Sequence, residues 1–276
     1  MENVKEYVAK FATFFGNPVE YKGLKIKPIL AKDALRFLDA VAVLQIEKNR
    51  IPSVEIIQMS YLEFMVNFMI TYQEYAEDFL WLIKMTLGLE IDKKRLISKF
   101  EENEVYFEQL PNGEYIYYFN GWDIKMTLCH PRGAKIMLKG VELTSREFDD
   151  LRRIILYQNI YEFDETPMSE DFRRVVEQYY SIKNRGIHKP DMEDKAVAIM
   201  LNTAYTLELL QEVPFCTFEK MFYDGVGKID YIATKSLEPH LEKGKTIDHW
   251  IYKPIRDKYS EIFSDANEFA NKFANM

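Results

Sequence analysis

An α+β fold, mainly α, with helical N-terminal and C-terminal parts flanking a small antiparallel β-hairpin region, follows from three features of the sequence. Apolar residues recur at helical spacing across residues 31–87 and again after 144. Between 104 and 140 the period changes to two. Pro111, Asn112 and Gly113 then separate two strand-like runs, VYFEQL and EYIYYF, which is a strong local hairpin signal. The chain divides on this basis into a helical region 1–103 with a short hairpin, a β-hairpin region 104–143, and a helical region 144–276.

The elements follow in order. Val8, Phe11, Phe14 and Phe15 form the apolar side of a short helix over 4–15. The run 19–29 alternates around Gly23 and predicts a small hairpin. Three helices are expected at 31–47, 53–72 and 75–87, with Asn49, Pro52 and Gly88 near the breaks, and a short helix at 89–100. About four strands fill the middle region: the pair around Pro111–Gly113, then DIKMTL and AKIMLKG around CHPRG. In the last of these Ile136 and Leu138 alternate with Lys135, Met137 and Lys139, and Gly140 ends the strand.

Thr144 and Glu147 have the spacing of a capping box: the hydroxyl accepts from the third helical amide and the carboxylate reaches back to the cap's own amide. A helix over 144–159 therefore presents Phe148, Leu151, Ile154, Ile155 and Gln158 on one face, with Asp149, Asp150, Arg152 and Arg153 largely on the other. Further helices are expected at 169–183, 192–204, 207–212, 217–237 and 259–273, with Gly225 and Gly227 weakening the one that contains them and open to splitting it.

Composition sets the class. With 276 residues, 47% hydrophobic and 14% aromatic, a chain of this size buries roughly three quarters of its unfolded surface. The net charge is -8. Residues 1–103 carry 14 basic and 15 acidic side chains, and residues 104–276 carry 22 and 29. Neither part offers the concentrated positive charge that a nucleic-acid backbone demands, so nucleic acid is not an expected partner. The only cysteines are Cys129 and Cys216, and charged residues interrupt the N-terminus, which points to a reducing compartment. No apolar run is long enough to span a membrane. The closest, 54–70, is broken by Glu55, Gln58, Glu63 and Asn67.

That run carries the candidate site. As one helix it places Ser60, Glu63, Asn67 and Thr71 in a narrow polar stripe and covers the remainder with apolar side chains. It is read either as a central core helix or as a surface for another polypeptide, with Ile57, Tyr61, Phe64, Phe68 and Met69 as the partner-binding residues. If those side chains are sealed inside the monomer, they are core residues.

Catalytic and cofactor patterns do not emerge. Cys129 and His130 adjoin, but His188, His240 and His249 are scattered, without the spacing of a zinc site. No local signature accompanies a cysteine nucleophile. The GxG in DGVGKID lacks the rest of a nucleotide-binding pattern and reads as a helix break. Asp149 with Asp150, and Asp164 with Glu165, read as solvated carboxylates. Trp250, near Pro254, reads as an anchor for the C-terminal helix. No enzyme activity, cofactor or metal is expected.

The phrases EFDDLRRIILYQNIYEFDE, SEDFRRVVEQYYSIKNRG, MEDKAVAIMLNTAYTLELLQEVPFCTFEKMF and IDHWIYKPIRDKYSEIF, with YKGLKIKPILAKDALRFLDAVAVLQIEKN and QMSYLEF before them, resemble the wording of virion morphogenesis proteins of bacteriophages that infect Gram-positive hosts. The resemblance covers most of the chain and contains no catalytic motif. It implies a role in tail assembly by protein–protein contacts, as a tail assembly chaperone for the tape-measure protein, or as a tail or connector subunit retained in the particle. It also implies a place in the host cytoplasm or in the virion, with a possible homo-oligomer.

Overall fold

The computed structural model describes residues 10–46, 48, 51–68, 72–164, 169–186, 189–240, 247 and 249–251. It is an α+β fold, mainly helical, with one two-stranded and one five-stranded antiparallel sheet. The chain forms two compact units, one of Met1–Phe163 with Thr206–Glu219 and one of Asp164–Tyr205 with Lys220–Met276.

In the first unit, residues 10–14 are helical, and residues 4–9 of the expected first helix lie outside the described residues. β1 (Val19–Tyr21) and β2 (Leu24–Ile26) pair across Lys22 and Gly23. Both turn residues have positive φ, the geometry of the two-residue turns that match strand twist. The helix expected at 31–47 is three pieces: a 3-10 turn Ala31–Asp33, α1 (Ala34–Ala40) and α2 (Ala42–Gln45). The segment after it also divides, into α3 (Val54–Gln58) and α4 (Tyr61–Phe68). α5 (Gln73–Leu87) then crosses α1, α2 and β2. Gly88 ends it in the left-handed conformation, its amide donating to the Lys84 carbonyl.

No α-helix forms at 89–100. Beyond a 3-10 turn at Lys93–Arg95 the backbone is held from outside by Asn120, which is buried. Its Oδ1 accepts from the Ile97 amide at 2.9 Å, and its Nδ2 donates to the carbonyls of Glu101, Phe100 and Ile97 at 2.9, 3.2 and 3.3 Å. Next to it Gly121 has φ +84, and a Cβ there would meet Ile91 at 2.7 Å and Leu96 at 2.9 Å. Only glycine satisfies both conditions.

The sheet has strands in sequence order: β3 (Val105–Gln109), β4 (Tyr115–Phe119), β5 (Ile124–Leu128), β6 (Ala134–Leu138) and β7 (Val141–Thr144). β7 was not expected. Gly140 does not end the sheet; Lys139 and Gly140, both at positive φ, make a second two-residue turn and the chain pairs again. Thr144 then caps α6 (Ser145–Asn159) with the full capping box to Glu147.

One row crosses the sheet through Phe107, Tyr117, Met126, Ile136 and Leu143. The last three are completely buried, beneath α4 and α6, which lie on β5, β6 and β7. Phe79 of α5 closes this core against Phe119 at 5.9 Å and Phe148 at 6.5 Å between ring centroids. A buried phenylalanine contributes about 1.5–3 kcal/mol, and these rings join α5 to the sheet and to α6. α7 (Glu170–Lys183) and α8 (Met192–Asn202) are followed by α9 (Leu207–Gln211). The strand-like bridge Leu30 to Pro214, with Ala31 N–H to the Val213 carbonyl at 2.8 Å, ties the 206–219 segment to the first unit.

The second unit contains α7, capped by Ser169, and α8, capped by the reciprocal pair Asp191 and Asp194. It also contains the larger part of α10 (Phe215–Lys235). Gly225 and Gly227 do not split this helix. Each costs about 1 kcal/mol relative to alanine, and the burial of Phe215, Phe218 and Phe222 on the same helix offsets that. After α10 the His249 ring returns to Tyr231, 4.9 Å between centroids, and stacks beside Trp250. The helix expected at 259–273 lies outside the described residues.

Candidate partner-binding surface

The break between α3 and α4 decides which of the five candidate residues face solvent. Ser60 and Glu63 form a capping box: Ser60 Oγ accepts from the Glu63 amide at 3.2 Å, and Glu63 Oε2 accepts from the Ser60 amide at 2.9 Å. Two members of the expected polar stripe are therefore the start signal of a new helix. Glu63 Oε1 also accepts from the Gly133 amide at 2.8 Å, with Arg132 Nε at 3.8 Å. Burial raises the Glu63 pKa, but the hydrogen bonds from Ser60 and Gly133 and the Arg132 charge outweigh it and hold the carboxyl below its ordinary value. One carboxylate thus fixes the helix start and joins it to the β5–β6 turn. Lys48 Nζ donates to the carbonyls of Met59 and Ile57 at the break, and burial lowers its pKa.

Tyr61 and Phe64 are core residues, 7% and 3% exposed. This corrects their assignment to a contact surface. The Tyr61 hydroxyl donates to the Val43 carbonyl at 2.9 Å and accepts from the Ile46 amide at 3.0 Å. The Arg152 guanidinium lies 4.5 Å from the Tyr61 ring centre and donates to the Leu44 carbonyl and to Asp149, both at 2.9 Å. Ile57 and Phe68 are exposed, at 47% and 42%. α3 buries no residue, and Val54 is exposed beside Ile57. Phe68 extends a ring contact outward from Phe64, 5.5 Å between centroids. Met69 lies outside the described residues.

Asp150 is no free carboxylate on a solvated face. It accepts from the Tyr21 hydroxyl at 2.9 Å, and burial together with this bond raises the tyrosine's pKa. Glu147 pairs with Lys22 at 2.6 Å, Asn159 Oδ1 accepts from the Ile29 amide at 2.7 Å, and Gln158 Nε2 donates to the Ile26 carbonyl at 3.2 Å. Asp150 of the expected polar face, Glu147 of the capping box, Gln158 of the expected apolar face and Asn159 at the helix end therefore fasten the segment 21–29. The pattern of charges could not show this, because the partners lie about 130 residues away.

A second apolar surface was not singled out from the sequence. Along α10, Phe215, Phe218 and Phe222 are buried, while Val226 and Ile229, which continue their stripe at spacings of three and four, are exposed. Elsewhere in the second unit, Ile182, Val197 and Leu201 are also exposed, Leu201 by 80%. The signal was present in the helical periodicity of 215–229, but Gly225 and Gly227 drew attention to a break.

Cys129 is half-buried at the end of β5, where burial first and then nearby carboxylates raise its thiol pKa. Among the described residues, no group of three or more His, Cys, Asp or Glu could hold a metal ion. No described helix is long and apolar enough to cross a membrane. Compared with known protein families, with curated proteins and with solved structures, the chain finds no match.

Proposed function

We propose that this chain acts by protein–protein contacts in bacteriophage tail or virion assembly, as a tail assembly chaperone that shields an apolar segment of the tape-measure protein. The observation that carries this reading is the α10 stripe, buried at Phe215, Phe218 and Phe222 and uncovered at Val226 and Ile229. An amphipathic partner helix would continue the same packing along an already formed face. Val226 and Ile229 are 44% and 46% exposed, so covering each contributes about 1 kcal/mol before association costs. The phage setting rests on the resemblance of the sequence phrases. Ile57 and Phe68 supply further apolar contact on the first unit.

The alternative reading is a tail or connector subunit retained in the particle. Co-expression with the tape-measure protein, followed by co-purification, tests the chaperone. A soluble complex, with the chain missing from finished particles, supports it. Retention in purified virions supports the subunit, and failure to associate with any tail protein removes both.

A further inference from the structure

The five-stranded sheet has an open edge at β3, and three properties of that edge define what fits it. First, the Leu110 amide donates to the Glu114 carbonyl at 2.8 Å and the Asn120 amide to the Glu104 carbonyl at 2.9 Å. Because alternate residues of an antiparallel strand bond to the same neighbour, Glu104, Tyr106, Glu108 and Leu110 direct their backbone toward β4. Val105, Phe107 and Gln109 direct theirs away, leaving a ladder of donors and acceptors with no sixth strand among the described residues.

Second, the row of side chains that is fully buried at Met126, Ile136 and Leu143 ends at Phe107, which is 64% exposed. Its ring centroid lies 5.9 Å from Tyr117 and 6.2 Å from Tyr115 of the neighbouring strand. Natural sheets blunt an open edge with charge, proline or a bulge. β3 has no proline and pairs in unbroken register; its one charge is Glu108, and an aromatic ring stands at its centre.

Third, the stretch 100–118 carries Glu101, Glu102, Glu104, Glu108 and Glu114, with no lysine or arginine. Glu108 lies on the opposite face from Phe107, and it is one of the charges that raise the Tyr118 pKa after burial. Pairing β3 with β3 of a second copy would bring two such acidic stretches together, which like-charge repulsion opposes.

We propose that the β3 edge binds an extended, basic segment of another polypeptide as a sixth strand, apolar side chains on the Phe107 face and lysine or arginine on the Glu108 face. The backbone ladder supplies affinity, and the two faces supply selection by alternate residues. This inference stands on the sheet alone and holds whether or not the chain serves phage assembly.

The test uses the full chain and two synthetic heptapeptides, one alternating valine with lysine and one alternating valine with glutamate. Amide hydrogen exchange is followed at Val105, Phe107 and Gln109. The lysine peptide is expected to bind and slow exchange at all three, with the glutamate peptide at least tenfold weaker. Gln109→Pro removes an outward amide without touching the β4 ladder, and about fivefold weaker binding is expected from one lost hydrogen bond. Phe107→Lys keeps the strand and is also expected to weaken binding, so a folding defect in one variant does not decide the result. Absence of binding, protection at other amides only, or equal binding of both peptides would overturn the proposal. So would self-association of the free chain through β3.

Discussion

The Tyr61 hydroxyl satisfies the Val43 carbonyl and the Ile46 amide at once, so its removal leaves two buried backbone groups without their partner. Tyr61→Phe is expected to cost about 1–3 kcal/mol in chemical denaturation, whereas Ile57→Asp on the exposed side of α3 should stay within about 0.5 kcal/mol. The reverse ranking would return Tyr61 to the surface. A second residue-scale expectation concerns acid. Lys22 first, then the Thr144 amide and hydroxyl, pull the Glu147 pKa from 4.5 down to about 2. A depressed carboxyl contributes stability that is fully present above 4.5 and is lost as pH falls toward 2. Glu147→Gln should therefore flatten the loss of stability across that window and leave its slope near neutral pH unchanged, as read by denaturation at a series of pH values.

Helices and strands were legible where their signals were local. The Thr144 and Glu147 capping box and the Pro111–Gly113 turn lie within a few residues of what they start or join. The α3–α4 break carried a local signal too, since Ser60 and Glu63 have the same spacing as Thr144 and Glu147. The dense apolar run from Ile56 to Ile70 hid it, because a continuous helix and two short ones share most of the same periodicity. β7 was obscured by Gly140, which closes a hairpin as readily as it ends a strand. Residues 89–100 differ for another reason: the end of this stretch is held at Ile97 and Phe100 by Asn120, a side chain 23 and 20 residues further along. Ser60→Ala tests the element boundary. It should cost about 1 kcal/mol and speed amide exchange in the first turn of α4; an unchanged exchange pattern would mean that the box does not start the helix.

At the scale of the molecule the two units differ in what they bury. The first seals Phe37, Phe79, Phe119, Phe148, Leu62 and Met65 almost completely. Among the described residues of the second, Ile199 and Phe222 are the buried apolar side chains, while Ile182, Leu201 and Ile232 stand in solvent. Few buried contacts mean low local stability, so amides of α7 and α8 should exchange well before those of α5, α6 and β6 in the free chain. Equal protection would show that the second unit is sealed in a way its described residues do not reveal. Such a unit gains most from a partner, because covering its apolar face adds the burial that its own helices lack.

Calorimetric titration of the full chain with an amphipathic segment of the tape-measure protein tests this account most directly. Saturable binding with a negative heat-capacity change, the mark of apolar surface removed from water, is expected. It should be lost in a Val226→Asp, Ile229→Asp variant whose β5 and β6 amides remain protected. Absence of binding, or binding that this variant leaves intact, would contradict the claim that the uncovered α10 stripe is where the chain meets its partner.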